Sequence, residues 1–173
     1  MSTEQEAQIQ PHERVTRYVV RTLMGLEPQV VSELEEHGAV EVELGRRSAS
    51  FGATKATLYG YLQSTRFAVR VLRPVFEFKA KGPDALYASA LKLDWGQWVD
   101  PRRSMALDVT VNSEEFPHDQ FAMFRLKDAM SDHFKSFGRA GAVHHLDINR
   151  TNPEQLIPLH SAAAQVAIAL NLI

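Results

Sequence analysis

The sequence predicts an α/β protein, more narrowly α+β, built from two consecutive units. Short segments in which hydrophobic and polar residues alternate predict half-buried strands, and segments with hydrophobic residues three or four apart predict helices. Both kinds occur on either side of KAKGPDA, residues 79–85, a polar stretch whose glycine and proline mark a boundary. We therefore expect a disordered polar lead-in at residues 1–16, a first unit at 17–80 and a second unit at 81–173.

The first unit opens with a predicted strand, RYVVRTL, followed by a helix. Pro28 suits the first turn of that helix, and Gly38 suits the position just beyond its end. The next segment, AVEVEL, alternates cleanly and predicts a strand with Val40, Val42 and Leu44 on one face.

The rest of the first unit completes a known arrangement. Gly45 and Arg46 predict a turn into a partner strand, RSASFGA, and Thr54 can cap a second helix. FAVRVLRPVFEF predicts the last strand, bent or ended at Pro74. The order strand-helix-strand-strand-helix-strand is the ferredoxin-like arrangement, and its two helices would cover one face of a four-stranded antiparallel sheet.

The second unit is predicted to contain two helices and four strands. DALYASALKL predicts the first helix, MALDVTV a strand, and the residues from about Asp119 to Phe137 a long second helix. Three further strands are predicted from HHLDINR, LIPLHSA and AQVAIALNL. Aromatic residues of the long helix, including Phe121, Phe124 and Phe134, recur at helical spacing and are expected mostly in the core.

Composition excludes several classes of function. The chain has no cysteine, which rules out disulfides, thiolate zinc sites and cysteine nucleophiles. No apolar run approaches the roughly 18 residues that a membrane span needs. The N-terminus, MSTEQEAQIQPHER, is polar and acidic, unlike a signal peptide. These features are typical of a cytoplasmic protein without a membrane partner, and we expect that location.

Charge is uneven along the chain, although the formal net charge is only -2. Residues 17–103 hold 13 Lys or Arg against 10 Asp or Glu, whereas the residues from 104 onward hold 5 against 8. A nucleic-acid surface would therefore be a local patch, formed mainly by basic residues from the first half of the chain.

Three arginines, Arg66, Arg70 and Arg73, lie near the end of the first unit. On a strand, Arg66 and Arg70 would project from one face about 13 Å apart, close to the span of two adjacent phosphates along an extended single strand. The alternative is ordinary ion pairing across the sheet with one of its acidic residues, Glu41, Glu43 or Glu77.

The long helix of the second unit carries two more basic candidates. Arg125 and Lys127 fall outside the aromatic stripe and could face a phosphate backbone. Alternatively, Arg125 forms a local salt bridge with Asp128 or Asp132, three and seven residues further along. The helix alone does not decide between these two interpretations.

Other motifs give weaker signals. His144, His145 and Asp147 could serve a small hydrolase, but adjacent histidines on a strand point to opposite faces, which argues against one shared metal ion. GRAG at residues 138–141 has the GXXG form with which KH domains clamp RNA, although a turn after a helix explains it better. Neither a P-loop nor a dinucleotide-binding glycine motif occurs.

Several segments together resemble one family. STRFAVRVLRPV resembles the end of the ferredoxin-like unit that precedes the THUMP domain in bacterial 23S rRNA guanine-N2 methyltransferases, and FPHDQFAMFRLKDAMSDHF resembles the long THUMP helix. TNPEQLIPLH and AQVAIALNLI are similar to THUMP strands, and YVVRTLMGLEPQVVSELEEHGA is similar to the first strand and helix of the same proteins. The resemblance covers nearly all of residues 18–173.

The resemblance implies a module that binds RNA, with 23S rRNA as its partner. It further implies that the chain is the N-terminal fragment of an rRNA-modifying enzyme, whose C-terminal methyltransferase domain would use S-adenosylmethionine to modify a guanine amino group. In this chain itself we expect no catalytic residue and no cofactor. A domain that docks a partner protein through the ferredoxin-like sheet is the alternative.

The residues expected to contact RNA follow from combining the resemblance with the basic candidates. Phosphates would be held by Arg66, Arg70, Arg73, Arg125 and Lys127. Asn112 and Ser113 would offer hydrogen bonds nearby.

Overall fold

The computed structural model describes residues 14–112, 114, 116, 118–137, 145–162 and 164–172. The chain divides into two compact units: unit 1 is Met1–Arg73 with Leu172–Ile173, and unit 2 is Pro74–Asn171. Most of the expected lead-in at residues 1–16 lies outside the described residues, and so do Ser113, His144 and the GXXG segment at 138–141.

Unit 1 has the predicted order of strands and helices. Its elements are β1 (Thr16–Arg21), α1 (Glu27–Glu36), β2 (Val40–Gly45), β3 (Ser48–Ala53), α2 (Lys55–Ser64) and the start of β4 (Arg70–Lys79). Within the unit the strands lie in the order β2-β3-β1-β4, and each neighbouring pair is antiparallel. The ferredoxin-like prediction is therefore confirmed.

Local sequence signals explain where these helices begin and end. The Thr54 hydroxyl accepts the backbone N–H of Thr57 at 3.3 Å and so caps α2, as predicted. Pro28 lies in the first turn of α1, and Gly38 follows the helix with φ +79°, a conformation that favours glycine.

The core of unit 1 lies between the two helices and one face of the sheet. Along β1 the burial alternates, so that Tyr18 and Val20 are buried while Arg17 and Arg21 are exposed. Tyr18 and Val20 pack in one cluster with residues of α1 and α2, such as Leu34. Arg17 and Arg21 therefore lie on the sheet face opposite the helices of the unit.

The clean alternation expected in β2 is broken. Glu41 has φ +51°, and the pairing with β3 shifts register between Val40 and Glu43. Val40 and Leu44 are 46% and 64% exposed. A β-bulge at Glu41 explains the change, because an extra residue on one strand disrupts the alternation of faces.

Unit 2 begins within β4, which does not end at Pro74 but runs on to Lys79. Its further elements are α3 (Pro83–Leu91), a short 3-10 turn (Trp95–Gln97), β5 (Met105–Asn112), α4 (Asp119–Phe137), β6 (Gln155–Ala162) and β7 (Gln165–Asn171). Strand β6 pairs parallel with β5 and antiparallel with β7. The bounds of α4 are those predicted. In the described part of the chain, none of the helices has the length and apolar character that a membrane crossing requires.

Two predictions for unit 2 are wrong. HHLDINR does not form a strand within its described residues 145–150, where Ile148 makes only an isolated bridge to Met105. The Asn149 side chain accepts the backbone N–H groups of the two residues beyond Arg150, at 3.0 and 3.1 Å, and so turns the chain.

The second wrong prediction concerns the aromatic stripe of α4. Phe121 and Phe124 are 48% and 47% exposed, whereas Phe134 is buried as expected. Met130, also expected in the core, is buried as well, and the rest of the buried face is formed by Ala122, Leu126 and Ala129. Counting aromatic residues alone therefore placed the core face on the wrong side of the first half of α4.

Candidate nucleic-acid interface

Arg66 lies in the loop between α2 and β4, because β4 begins only at Arg70. The prediction that Arg66 and Arg70 project from one strand face is therefore wrong. The Arg66 Nε atom lies 3.5 Å from Oε1 of Glu33, a buried carboxylate of α1. Glu33 also accepts the Arg66 backbone N–H at 3.1 Å and the Thr65 hydroxyl at 2.8 Å. Glu33 thus fixes this loop to α1, and whether Arg66 contacts RNA stays a prediction.

Arg70 and Arg73 both lie on β4 and are both partly buried. Since they are three residues apart on one strand, they project to opposite faces of the sheet. Arg70 lies directly opposite Arg21 of β1 in the strand register. The two positions cannot act as one pair on one face of the sheet.

Arg125 is held inside unit 2 by residues of α3. Its Nη2 atom forms an ion pair with Asp84, and its guanidinium carbon lies 4.8 Å from the centre of the Tyr87 ring. The expected local partner Asp132 instead accepts the Tyr87 hydroxyl at 2.8 Å, and this hydrogen bond raises the pKa of Tyr87. The side chain of Arg125 is only 29% exposed, so its main visible role is to join α3 to α4.

Asn112 is the last residue of β5, and the structure describes its backbone but not its side chain. Its expected neighbour Ser113 lies outside the described residues. The suggestion that these two residues offer hydrogen bonds to RNA stays a prediction.

Lys127 lines a groove of about 320 Å³ in unit 2, between α4 and the segment that precedes β6. The groove combines apolar and charged side chains. Its lining residues are Leu107, Met123, Phe124, Lys127, His145, Leu146, Asp147, Ile148 and Arg150.

Backbone hydrogen bonds to β5 hold the groove's second wall in place. Met105 donates its N–H to the carbonyl of Asp147 at 2.8 Å and accepts the N–H of Asn149 at 2.9 Å. Leu146 is buried in the core of unit 2, and the Arg150 Nη2 atom lies 3.2 Å from the sulfur of Met123 on α4. Arg150 is therefore brought to the same groove as Lys127, although the two are far apart in sequence.

The groove contains side chains of the kinds that bind single-stranded nucleic acids. Phe124 presents a half-exposed ring on which a base can stack. Within the described residues, no carboxylate lies within 4.0 Å of Lys127 or Arg150, and Asp147 is the acidic residue of the lining. Two cations beside an exposed aromatic ring suit a base together with its phosphates.

Other sequence candidates do not form a site of their own. The large aromatic side chain of Trp95 is buried in unit 2, where it donates its indole N–H to the Ala90 carbonyl at 2.8 Å, so it is not available for base stacking. His145 and Asp147 lie at the groove, while His144 is outside the description. Among the residues that are described, no three His, Asp or Glu side chains group so as to hold a metal ion.

Sequence reasoning found Lys127 but missed Phe124 and Arg150. Phe124 and Lys127 are three residues apart on α4, so a search for an aromatic residue beside a cation on one helix face would have found that pair. Arg150 carried no local signal, because its place at the groove depends on how residues 145–150 attach to β5.

Comparisons with known proteins assign both units. Residues 17–72 match the family model described as the RlmL ferredoxin-like domain, and residues 80–171 match the THUMP domain model. A ribosomal RNA large subunit methyltransferase K/L from Syntrophotalea carbinolica is 34% identical over 148 residues, which make up 86% of this chain and 20% of that relative. The chain thus spans about a fifth of the length of this curated relative.

Two solved structures support the fold. One is named as a predicted N6-adenine-specific DNA methylase from Listeria monocytogenes, with a TM-score of 0.74 and 16% identity over 93% of this chain and 41% of that chain. The other is a 4-thiouridine synthetase in complex with RNA and ATP, with a TM-score of 0.55 and 13% identity over 91% of this chain and 41% of that chain. At such identities the likeness concerns the fold alone. Because the THUMP match extends over most of unit 2 and more than half of the chain, the chain belongs to the THUMP domain family, with an RlmL-type ferredoxin-like domain ahead of its THUMP domain.

Proposed function

We propose that this chain is the RNA-binding module of an rRNA methyltransferase. The observation that carries the proposal is the groove of the THUMP unit, which is lined by Lys127 and Arg150 together with the half-exposed Phe124. The family match supports the same conclusion, since the relative from Syntrophotalea carbinolica is named as a ribosomal RNA large subunit methyltransferase. RNA held in this way would stack an unpaired base on Phe124 and place its phosphates near the two cations.

The finer parts of the proposal concern the whole enzyme. We infer that the RNA is 23S rRNA, that the modified group is the N2 amine of a guanine, and that the enzyme works in the cytoplasm. The methyl donor would be S-adenosylmethionine, bound by a methyltransferase domain that is not among the residues described here. No residue of the groove is assigned a catalytic role, because the groove's groups hold and orient RNA rather than transfer a methyl group.

The test is RNA binding by this chain, measured by fluorescence anisotropy between about 50 and 300 mM salt. The probes are a labelled 23S rRNA fragment with single-stranded segments and a fully paired hairpin of equal length. We expect the affinity to fall with salt and to favour the RNA that contains unpaired bases. Replacing Lys127 and Arg150 together by Gln should lower the salt slope by about 1.4, which is two contacts at about 0.7 each.

A matched pair of phenylalanine variants isolates the stacking contact. Phe124→Ala should weaken binding by about 1–3 kcal/mol with little change in salt slope, since a base is lost and no charge is removed. Phe121→Ala is the control, because Phe121 is equally exposed on the same helix but does not line the groove. Equal affinity of all these variants and the wild type would reject the groove as the RNA site. Absence of binding even at low salt would reject the proposed function for this chain.

A further inference from the structure

Four arginines meet at one end of the unit 1 sheet. Arg21 is the last residue of β1, Arg46 and Arg47 form the turn between β2 and β3, and Arg70 is the first residue of β4. We call these residues the arginine cluster. Only Arg70 was among the candidates that sequence reasoning selected.

Strand pairing, rather than side-chain placement, brings the cluster together. Arg21 lies opposite Arg70 on one neighbouring strand and opposite Ser48, the residue after the turn, on the other. The N–H of Thr22, directly after Arg21, donates to the Arg47 carbonyl at 2.9 Å. The backbones of the four arginines are thus neighbours whichever rotamers their side chains adopt.

Most of this charge faces solvent. Arg21, Arg46 and Arg47 are exposed, and within the described part of unit 1 no carboxylate lies within 4.0 Å of their guanidinium groups. Glu27 also lies at this end of the unit, where its carboxylate accepts the backbone N–H groups of Arg47 and Gly25, at 3.0 and 2.6 Å, and interacts electrostatically with Arg47. The cluster therefore keeps a positive excess.

The three exposed cations of the cluster, Arg21, Arg46 and Arg47, are all arginines. The planar guanidinium fork fits phosphate oxygens better than the amine of lysine does. Three exposed guanidinium groups at one end of the sheet therefore suit a phosphate backbone.

We propose that the arginine cluster is a second RNA contact of this chain, which binds the phosphate backbone through unit 1. The inference rests on the proposed function, because RNA binding by the THUMP unit is what makes RNA the polyanion presented to unit 1. In contrast to the groove, the cluster consists of arginines alone and offers no aromatic ring on which a base could stack. It should therefore bind the backbone without preference for base or for strandedness.

The decisive variant removes three of the charges and keeps the backbone conformation. In Arg21→Gln/Arg46→Gln/Arg47→Asn, asparagine is chosen for position 47 because Arg47 has φ +54°, a region that asparagine tolerates. The control triple variant replaces the exposed lysines Lys55, Lys79 and Lys81 by Gln. Either variant removes three positive charges and so changes the formal net charge from -2 to -5.

Binding to the 23S rRNA fragment and to the paired hairpin is again followed across the salt series. We expect the cluster variant to lower the salt slope by about 2 for single-stranded segments of the rRNA fragment, which is three contacts at about 0.7 each, and by about 2.7 for the paired hairpin, at about 0.9 each. Binding to the rRNA fragment should become about a hundredfold weaker at 0.1 M salt. The control variant should change the slope by less than about 0.7. Arg46→Gln alone, a change in an exposed turn, should lower the slope by about 0.7 and serves if the triple variant does not fold.

Several results would overturn the inference while leaving the proposed function intact. In one, the wild type binds RNA and the cluster variant keeps the same slope. In another, cluster and control variants weaken equally, which reveals only a general charge effect. Anionic phospholipid vesicles test a rival partner: if the cluster variant loses vesicle binding but keeps RNA affinity, the surface is one for lipid. If the wild type binds no RNA at all, both proposals fall together.

Discussion

Glu33→Ala removes the carboxylate that joins the loop before β4 to α1, and the structure predicts a clear local loss of stability in unit 1. The Glu33 carboxylate is buried on α1 and holds the loop before β4 through the Thr65 hydroxyl at 2.8 Å and the Arg66 N–H at 3.1 Å. A hydrogen bond to a charged group contributes about 1.5–3 kcal/mol. Because the partners are only partly buried, we take the lower end, about 3 kcal/mol for the two bonds. The ion pair with the Arg66 side chain, which is 78% exposed, adds little.

The loss should be measured in unit 1 specifically, because two units need not unfold in one step. Hydrogen exchange of the α1 and β4 amides in increasing urea gives the opening free energy of this region. Glu36→Ala is the matched control, since Glu36 is exposed on the same helix and the change alters helix propensity equally. Glu33→Gln, which keeps one carbonyl acceptor, should lose about half as much as Glu33→Ala. A loss below about 1 kcal/mol for Glu33→Ala, or one equal to that of Glu36→Ala, would refute the reasoning.

Three further predictions concern stability. Thr54→Ala should lower the opening free energy of the surrounding amides by about 1 kcal/mol in hydrogen exchange with increasing urea, because the cap on the Thr57 N–H is lost; an unchanged opening free energy would contradict this. Trp95→Phe should cost about 2 kcal/mol by the same assay, since the buried hydrogen bond to the Ala90 carbonyl and part of the ring volume disappear; a loss below about 0.5 kcal/mol would count against that bond. Hydrogen bonds from backbone N–H groups, first its own, lower the pKa of Glu27. Its contribution to stability is therefore present above about pH 4.3 and is lost as the pH falls through the lowered value. Thermal melts should show a shallower acid-induced loss for Glu27→Gln than for wild type, and identical acid profiles would exclude the effect.

The parts of the fold that local signals determine could be predicted from the sequence. The bounds of α4, the cap at Thr54 and the turn after α1 at Gly38 depend on residues within one or two turns of each other. The order of elements in unit 1 followed from those signals, because short connections leave few arrangements for them. The bulge at Glu41 was not predictable, since AVEVEL alternates perfectly and the register shift arises only in pairing with β3.

The candidate site was harder to predict because it depends on contacts between distant residues. Arg125 looked available on a helix wheel, but its partner Asp84 is 41 residues earlier in the sequence, on α3. Lys127 was selected as a phosphate contact, which stays a prediction, and the groove that it lines exists only because residues 145–150 attach to β5. Periodicity gives the faces of one element, and it cannot tell which element will cover each face.

The net charge of -2 does not conflict with an RNA-binding role, because acidic side chains cancel particular cations rather than all of them equally. Several described cations have a carboxylate within 4.0 Å, in the pairs Arg17–Glu43, Arg66–Glu33, Arg102–Asp100, Arg125–Asp84 and Lys135–Asp132. A phosphate that binds one of these must compete with the carboxylate already there, so such a cation contributes less to RNA affinity than its charge suggests. Within the described residues, no carboxylate lies within 4.0 Å of the charged groups of Lys127, Arg150 or the exposed arginines of the cluster. Under the two proposals, the counterions that these residues would release from RNA are therefore the larger gain. The salt slope should accordingly depend on which cations are replaced and not on the net charge of the variant.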